Sequence, residues 1–86
     1  MEKRVAVMGI IVENTEVIQE VNGILHEYAK FIIGRMGIPY REKNISIISI
    51  AIDAPQNVIS TLSGKIGKLP DISVKTAFSG VITNEE

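Results

Sequence analysis

The chain has 86 residues, of which 45% are apolar, so it can form one small domain with a modest core. It contains no cysteine, which excludes a disulfide framework and a thiolate metal site. Nine basic and ten acidic residues give a formal net charge of −1, without the basic excess typical of a free-standing nucleic-acid-binding protein.

No segment of the sequence is typical of membrane insertion or export. The apolar runs are far shorter than the roughly 20 residues that a membrane-spanning helix needs. Residues 1–4 lead directly into an alternating strand pattern, without the apolar run and cleavage site of a signal peptide. We therefore expect a soluble, cytoplasmic protein with no membrane partner.

The first element in chain order is a strand predicted over residues 3–12. Alternate residues are apolar on both faces of this strand, with Val5, Val7 and Ile11 on one of them. Such a strand is typical of the interior of a sheet that is covered on both sides. We place it in the middle of the sheet.

A helix is predicted over about residues 15–28, where apolar residues recur at helical spacing. Asn14 or Thr15 can cap its first turn. His26, the only histidine of the sequence, falls on the solvent side of this helix. One histidine without cysteine cannot supply the usual nitrogen and sulfur ligands, so we predict no metal site and no cofactor.

The central hairpin pairs a glycine-rich strand with an isoleucine-rich one. The second strand, predicted over residues 31–38, contains Gly34 and Gly37 and ends at Pro39, a composition tolerated best at a sheet edge. A polar turn at residues 41–44 connects it to a third strand over residues 45–53. The third strand is apolar or small on both faces, which favours a second central position.

The last third of the chain contains the second helix and the last strand. We predict that the helix ends at Gly67 in the left-handed conformation, just before Pro70. The last strand is predicted over residues 72–78, and residues 80–86 show no clear pattern. The chain is therefore divided into a single domain, 1–79, and a C-terminal tail, 80–86.

The element order β-α-β-β-α-β is that of the α+β, ferredoxin-like arrangement. It has a four-stranded antiparallel sheet with both helices on one face. This topology places the first and third strands in the middle and the second at an edge, in agreement with their compositions. Because the helices cover only one face, several aliphatic side chains remain uncovered on the other. We expect a homo-oligomer, dimer or tetramer, that assembles through the sheet.

The sequence contains no constellation that is typical of an enzyme. Its serines have no plausible histidine base, because His26 lies on a different element with no acidic motif around it. Residues 64–67 include a Gly-Lys pair but lack the preceding strand and spaced glycines of a phosphate-binding loop. We therefore predict no catalytic residues and no enzymatic activity.

Candidate binding residues concentrate on the second strand and the turn after it. The glycines there would let a ligand approach the backbone, while arginine and tyrosine offer anion-binding and stacking groups. A lysine on the second helix could join them if another subunit brings it close. The predicted ligand-binding residues are Gly34, Arg35, Gly37, Tyr40, Arg41 and Lys65. The alternative interpretation is an edge strand that glycine, proline and charge protect from aggregation.

Beyond these patterns, the chain resembles a known family over nearly its whole length. The most specific segment is residues 34–41, and residues 9–13 and 62–70 also carry the resemblance. These motifs are similar to those of the small regulators associated with iron-only (FeFe) hydrogenase systems. That family is similar in fold to the ACT domain and to the regulatory domain of nickel-responsive repressors.

The resemblance implies a regulatory module that senses a ligand or contacts a partner protein, and it names no ligand. The arginines and tyrosine of the second strand and its turn favour an anionic small-molecule effector or a protein partner. Nickel-responsive repressors add a ribbon-helix-helix segment and several histidines and a cysteine, none of which is found here. The resemblance therefore implies a sensor or protein-interaction module without its own DNA-binding head, and we do not expect direct nucleic-acid binding. Two alternatives remain: a repressor that binds DNA as an oligomer, and a small dimeric ferredoxin-like enzyme.

Overall fold

In a computed structural model, which describes residues 2–84, the chain folds as four strands and two α-helices. The elements are β1 (Glu2–Val12), α1 (Ile18–Glu27), β2 (Ile32–Tyr40), β3 (Ile45–Ala54), α2 (Gln56–Gly67) and β4 (Ile72–Asn84). Three short 3-10 turns lie at Thr15–Val17, Ala29–Phe31 and Arg41–Lys43. The strands form one antiparallel sheet in the order β2-β3-β1-β4, which confirms the predicted ferredoxin-like fold.

The core lies between the two helices and one face of the sheet. Even-numbered residues of β1 and β3 face the helices, and they pair across the strands as Met8 with Ile50 and Ile10 with Ile48. Burying each such aliphatic side chain contributes roughly 1.5–3 kcal/mol to stability. The buried residues are Ala6, Met8, Ile10, Val12, Val17, Val21, Leu25, Ile48, Ile50, Ile52, Ala54, Ile59, Leu62 and Ile66. This core confirms the predicted division of the two central strands into a buried and an uncovered face.

The predicted first helix starts as a 3-10 turn and continues as α1. Asn14 caps this start, because its side-chain oxygen accepts the backbone N–H of Glu16 at 3.0 Å. Val21 and Leu25 are the buried residues of α1 and face the sheet. The chain leaves α1 through the second 3-10 turn and enters β2 without a longer loop.

The last strand is longer than predicted, since β4 continues to Asn84. Residues 82–84, within the predicted tail, pair with residues 2–4 of β1. The register shifts between Arg4 and Ala6, and this irregularity interrupts the alternation after Phe78 that sequence reasoning relied on. Residues 85 and 86 of the predicted tail lie outside the described residues.

The predicted left-handed end of α2 at Gly67 was wrong. Gly67 is the last residue of the helix, and no glycine between residues 2 and 84 has a positive φ. The left-handed residue is Asp71, with φ 57°, and its carbonyl accepts the backbone N–H of Glu13 at 2.8 Å. Pro70 cannot continue a helix, so the chain reverses after it instead of at Gly67.

No helix within the described part of the chain is long and apolar enough to cross a membrane.

We predict that Gly67→Ala raises the free energy of unfolding by about 0.5 kcal/mol, because alanine loses less backbone entropy in a helix than glycine. A β-carbon at this position would meet no atom within 4 Å. Asp71→Ala is the contrasting variant and should destabilise by about 1 kcal/mol, since its backbone is left-handed. Urea denaturation at one fixed protein concentration measures both. A loss of stability for Gly67→Ala would show that the helix ends differently.

Candidate functional site

The register of β2 decides which face of the sheet each candidate residue occupies. A shift between Ile32 and Gly34 leaves Ile33 without a partner in the pairing of β2 with β3. After this bulge, Arg35 pairs with Ile50, a fully buried core residue. Directly paired residues share a face, so Arg35 lies on the helix-covered side of the sheet.

The helix-covered side of β2 borders a pocket of about 280 Å³ beside α1. Its lining residues are Asn22, Leu25, His26, Ala29, Ile32 and Arg35. The first four follow one another at the i, i+3, i+4, i+7 spacing that places side chains on one side of a helix. We call this cavity the helix-edge pocket, because it lies between α1 and the edge strand.

Arg35 is held in this pocket by a side chain of the helix. Its Nη2 donates a hydrogen bond to Oδ1 of Asn22 at 2.8 Å. The bond joins β2 to α1 at the outer edge of the sheet. Among residues 2–84, no further strand pairs with this edge of β2. Asn22 therefore orients a guanidinium whose remaining N–H groups can bind an anion.

The polar side chains of the helix-edge pocket are a guanidinium, an imidazole and an amide, and its remaining walls are apolar. Arg35 contributes the only charge fixed at neutral pH, and His26 lies beside it on the lining. No carboxylate belongs to the lining. This arrangement suits a ligand with an anionic end and an apolar body.

The second candidate surface is the open face, the side of the sheet opposite the helices. Six large apolar side chains that are exposed among residues 2–84 lie on it by register: Val7, Ile11, Met36, Ile38, Tyr40 and Ile47. Each keeps between 37% and 57% of its surface exposed. An apolar patch of this extent is typical of an interaction site.

Small residues form the middle of the open face. Gly9 pairs with Ser49, and Val7 pairs with Ala51, in the two central strands. Gly34 continues this band of small residues onto β2, since it pairs with Ala51. The larger side chains stand around this shallow band, so a second surface can approach the backbone closely there.

One polar group on the open face has an incomplete set of partners. A carboxylate oxygen of Asp53 is buried and has no hydrogen-bond partner within the described residues. Asp53 pairs with Val5 and therefore shares the open face with it. A buried oxygen left unsatisfied costs about 1–3 kcal/mol, which a donor from another molecule could offset.

The structure divides the predicted ligand-binding residues among four places. Arg35 and Gly37 lie on the helix-covered side, whereas Gly34 and Tyr40 lie on the open face. Arg41 begins the exposed 3-10 turn after β2. Lys65 is on α2, with its Nζ 5.3 Å above the ring of Tyr28. Within one chain, Arg35 and Tyr40 thus face opposite sides of the sheet.

Sequence reasoning did not select two residues of the helix-edge pocket. Helical spacing predicts that Asn22, like His26, lies on the solvent side of the first helix, and both are exposed. Their spacing of four residues was a signal that they share one side of the helix. Which side chain of β2 faces them depends on the β2 bulge, which periodicity does not reveal. No three His, Cys, Asp or Glu side chains between residues 2 and 84 form a group that could hold a metal ion.

Comparison with known proteins identifies the relatives of this chain. Residues 4–76 match the model of the TM1266-like family, described as "Iron-only hydrogenase system regulator, putative". The structure of the uncharacterized protein TM1266 from Thermotoga maritima is similar, with a TM-score of 0.84 and 34% sequence identity. The match covers 88% of this chain and 96% of that one. No curated protein matches. Since the family model spans most of the sequence, this protein belongs to the TM1266-like family of iron-only hydrogenase system regulators.

Proposed function

We propose that this protein is a homo-oligomeric regulatory module of an iron-only hydrogenase system and acts as a sensor or protein-interaction unit. The family supports the hydrogenase system and the regulatory role. The single observation that supports assembly is the open face, with its six exposed large apolar side chains. We place this role in the cytoplasm, which suits a chain without cysteine.

The apolar side chains of the open face could contribute a free energy of the same order as the cost of forming a dimer. Burying the exposed half of one such side chain is worth on the order of 1 kcal/mol. Twelve side chains from two copies would then contribute about 10 kcal/mol, against an association cost of about 4–15 kcal/mol. Assembly thus depends on close packing as well as area, and the small residues Gly9, Ser49 and Ala51 permit close approach.

Regulation by this module requires a ligand or partner that distinguishes its states. We propose that an anionic effector, or an acidic segment of a partner protein, binds through Arg35 with Gly37 leaving space beside it. Tyr40, Arg41 and Lys65 would contribute only where a neighbouring subunit brings them to the same ligand. Arg35 and Met36 are consecutive residues on opposite faces of one strand. Binding at the pocket can therefore change packing at the open face, and assembly can change binding reciprocally.

Catalysis is not part of this proposal. The helix-edge pocket is lined by one imidazole, one guanidinium and one amide, together with aliphatic side chains. It contains no hydroxyl, thiol, amine or carboxylate that could act as a nucleophile. These groups suit binding, and they agree with the description of the family as a regulator.

We predict that Val7→Asp prevents assembly through the sheet. Val7 is half exposed on the open face, so the single subunit tolerates the charge, whereas a buried interface would enclose an unpaired carboxylate. Multi-angle light scattering should show an oligomer for the unmodified protein and a monomer for the variant. Circular dichroism should show unchanged helix content.

Ser60→Asp is the matched control, since it adds the same charge at an exposed position of α2. It should assemble like the unmodified protein. A monomeric unmodified protein at micromolar concentration, or an oligomeric Val7→Asp variant, would contradict assembly through the open face.

The regulatory role can be tested in the organism that produces the protein. Replacing the chromosomal codon to give Val7→Asp should change hydrogenase activity as much as deleting the gene does, because a monomer would not regulate. Ser60→Asp should behave like the unmodified strain. Measuring hydrogenase transcripts in parallel distinguishes transcriptional from post-translational control. Unchanged activity after gene deletion would refute the regulatory role.

A further inference from the structure

We infer that the helix-edge pocket binds a small monocarboxylate with a short apolar body. The inference rests on the regulatory function proposed above and names the chemical class of its effector. Three observations support it: a positioned guanidinium, an apolar wall of limited size, and a lining without acidic groups. Each of them restricts the chemistry of the ligand in a different way.

The guanidinium of Arg35 provides the anion-binding group. One of its N–H groups is used by Asn22 at 2.8 Å, which leaves four of its five donors. A planar guanidinium can bind the two oxygens of a carboxylate with two parallel hydrogen bonds. Because the bond to Asn22 already restricts its rotation, less conformational entropy is lost on binding. Asn22 is thus a positioning residue for Arg35.

The apolar part of the pocket limits the body of the ligand. Leu25 is almost completely buried and forms the floor, while Ala29 and Ile32 form the wall near the start of β2. The volume of about 280 Å³ lies just below the usual range of roughly 300–1,000 Å³ for small-molecule sites. A short branched or unbranched hydrocarbon chain fits this space better than a nucleotide or a peptide.

The charge of the lining separates a carboxylate from other small metabolites. An ammonium group would find no carboxylate in the lining, which disfavours amines and zwitterionic amino acids. Inorganic phosphate has no apolar part that could contact Leu25 and Ile32, so it is less favourable here than a carboxylate with a hydrocarbon chain.

The approach to Arg35 is open along the strand. Gly37 pairs with Ile48 and so lies on the same side of β2 as Arg35. A β-carbon built at Gly37 would meet no atom within 4 Å. The ligand can therefore reach the guanidinium from the side of Gly37 without displacing a side chain.

Titration of the ¹⁵N-labelled protein with sodium 3-methylbutanoate, followed by ¹H–¹⁵N NMR, tests the inference. We expect saturable shifts of amide signals from residues 22–35. The uncharged 3-methylbutanamide, the cationic 3-methylbutan-1-amine and inorganic phosphate should produce no saturable shifts there. Equal binding of the amide, or saturable shifts confined to the open face, would overturn the inference, as would a lack of saturable shifts with the carboxylate.

Variants locate the binding groups. Arg35→Ala should raise the apparent Kd about tenfold or more, which is the usual effect of losing a charge-assisted hydrogen bond. Arg41→Ala removes an equal charge from the exposed turn after β2 and should leave Kd unchanged. Ala29→Leu keeps the guanidinium but fills the pocket, so it should also abolish binding. Unchanged binding by Arg35→Ala or Ala29→Leu would overturn the inference.

A second variant and a parallel measurement of assembly allow the binding inference and the proposed assembly to be tested separately. Where Arg35→Ala does not give a folded protein, Arg35→Lys retains the charge without the planar fork, and it should weaken binding. Light scattering of the same samples reports assembly separately. If the protein is an oligomer but does not bind the carboxylate, only this inference is refuted. If the protein binds the carboxylate but is a monomer, only the proposed assembly is refuted.

Discussion

The antiparallel pairing of β1 with β3 is the constraint on which the rest of the structure depends. Because side chains alternate along a strand, this one register sends Met8 and Ile50 to the helices and Val7 and Ala51 to the other side. The core and the apolar open face are therefore two results of the same pairing. Both central strands carry apolar side chains on both sides, so two helices on one side leave apolar side chains exposed on the other.

The helix-edge pocket depends on a second, more local feature, the bulge at the start of β2. Without the shift at Ile33, each residue of β2 after this point would lie on the opposite face of the sheet. Arg35 would then lie on the open face and not beside α1. Edge strands accommodate such irregularities because only one neighbour has to follow them. The same position leaves the guanidinium accessible to solvent while Asn22 holds it against the helix.

The fold could be predicted from sequence because several independent signals agreed on it. Alternation in the two central strands, the glycines and proline of β2, and the order of elements all pointed to one topology. The candidate site was less accessible, since the faces of Arg35 and Tyr40 depend on a shift that has no periodic signature. The end of α2 shows the same limit. A glycine before Pro70 is compatible with a left-handed turn, but the chain places that turn at Asp71. Sequence patterns indicate which elements form, whereas local backbone irregularities decide which side chains meet.

The position of Arg35 and Met36 as neighbours in β2 has a consequence for the specificity of the fold. A slip of β2 by one residue would place a guanidinium on the apolar open face and a thioether beside Asn22. Gly34 and Gly37 add no side-chain packing that would oppose such a slip. The hydrogen bond between Arg35 and Asn22 therefore also favours the observed register of β2, because it forms in only one of the two alignments. A chain with the slipped strand would lack the pocket and would place a charge among the apolar side chains of the open face.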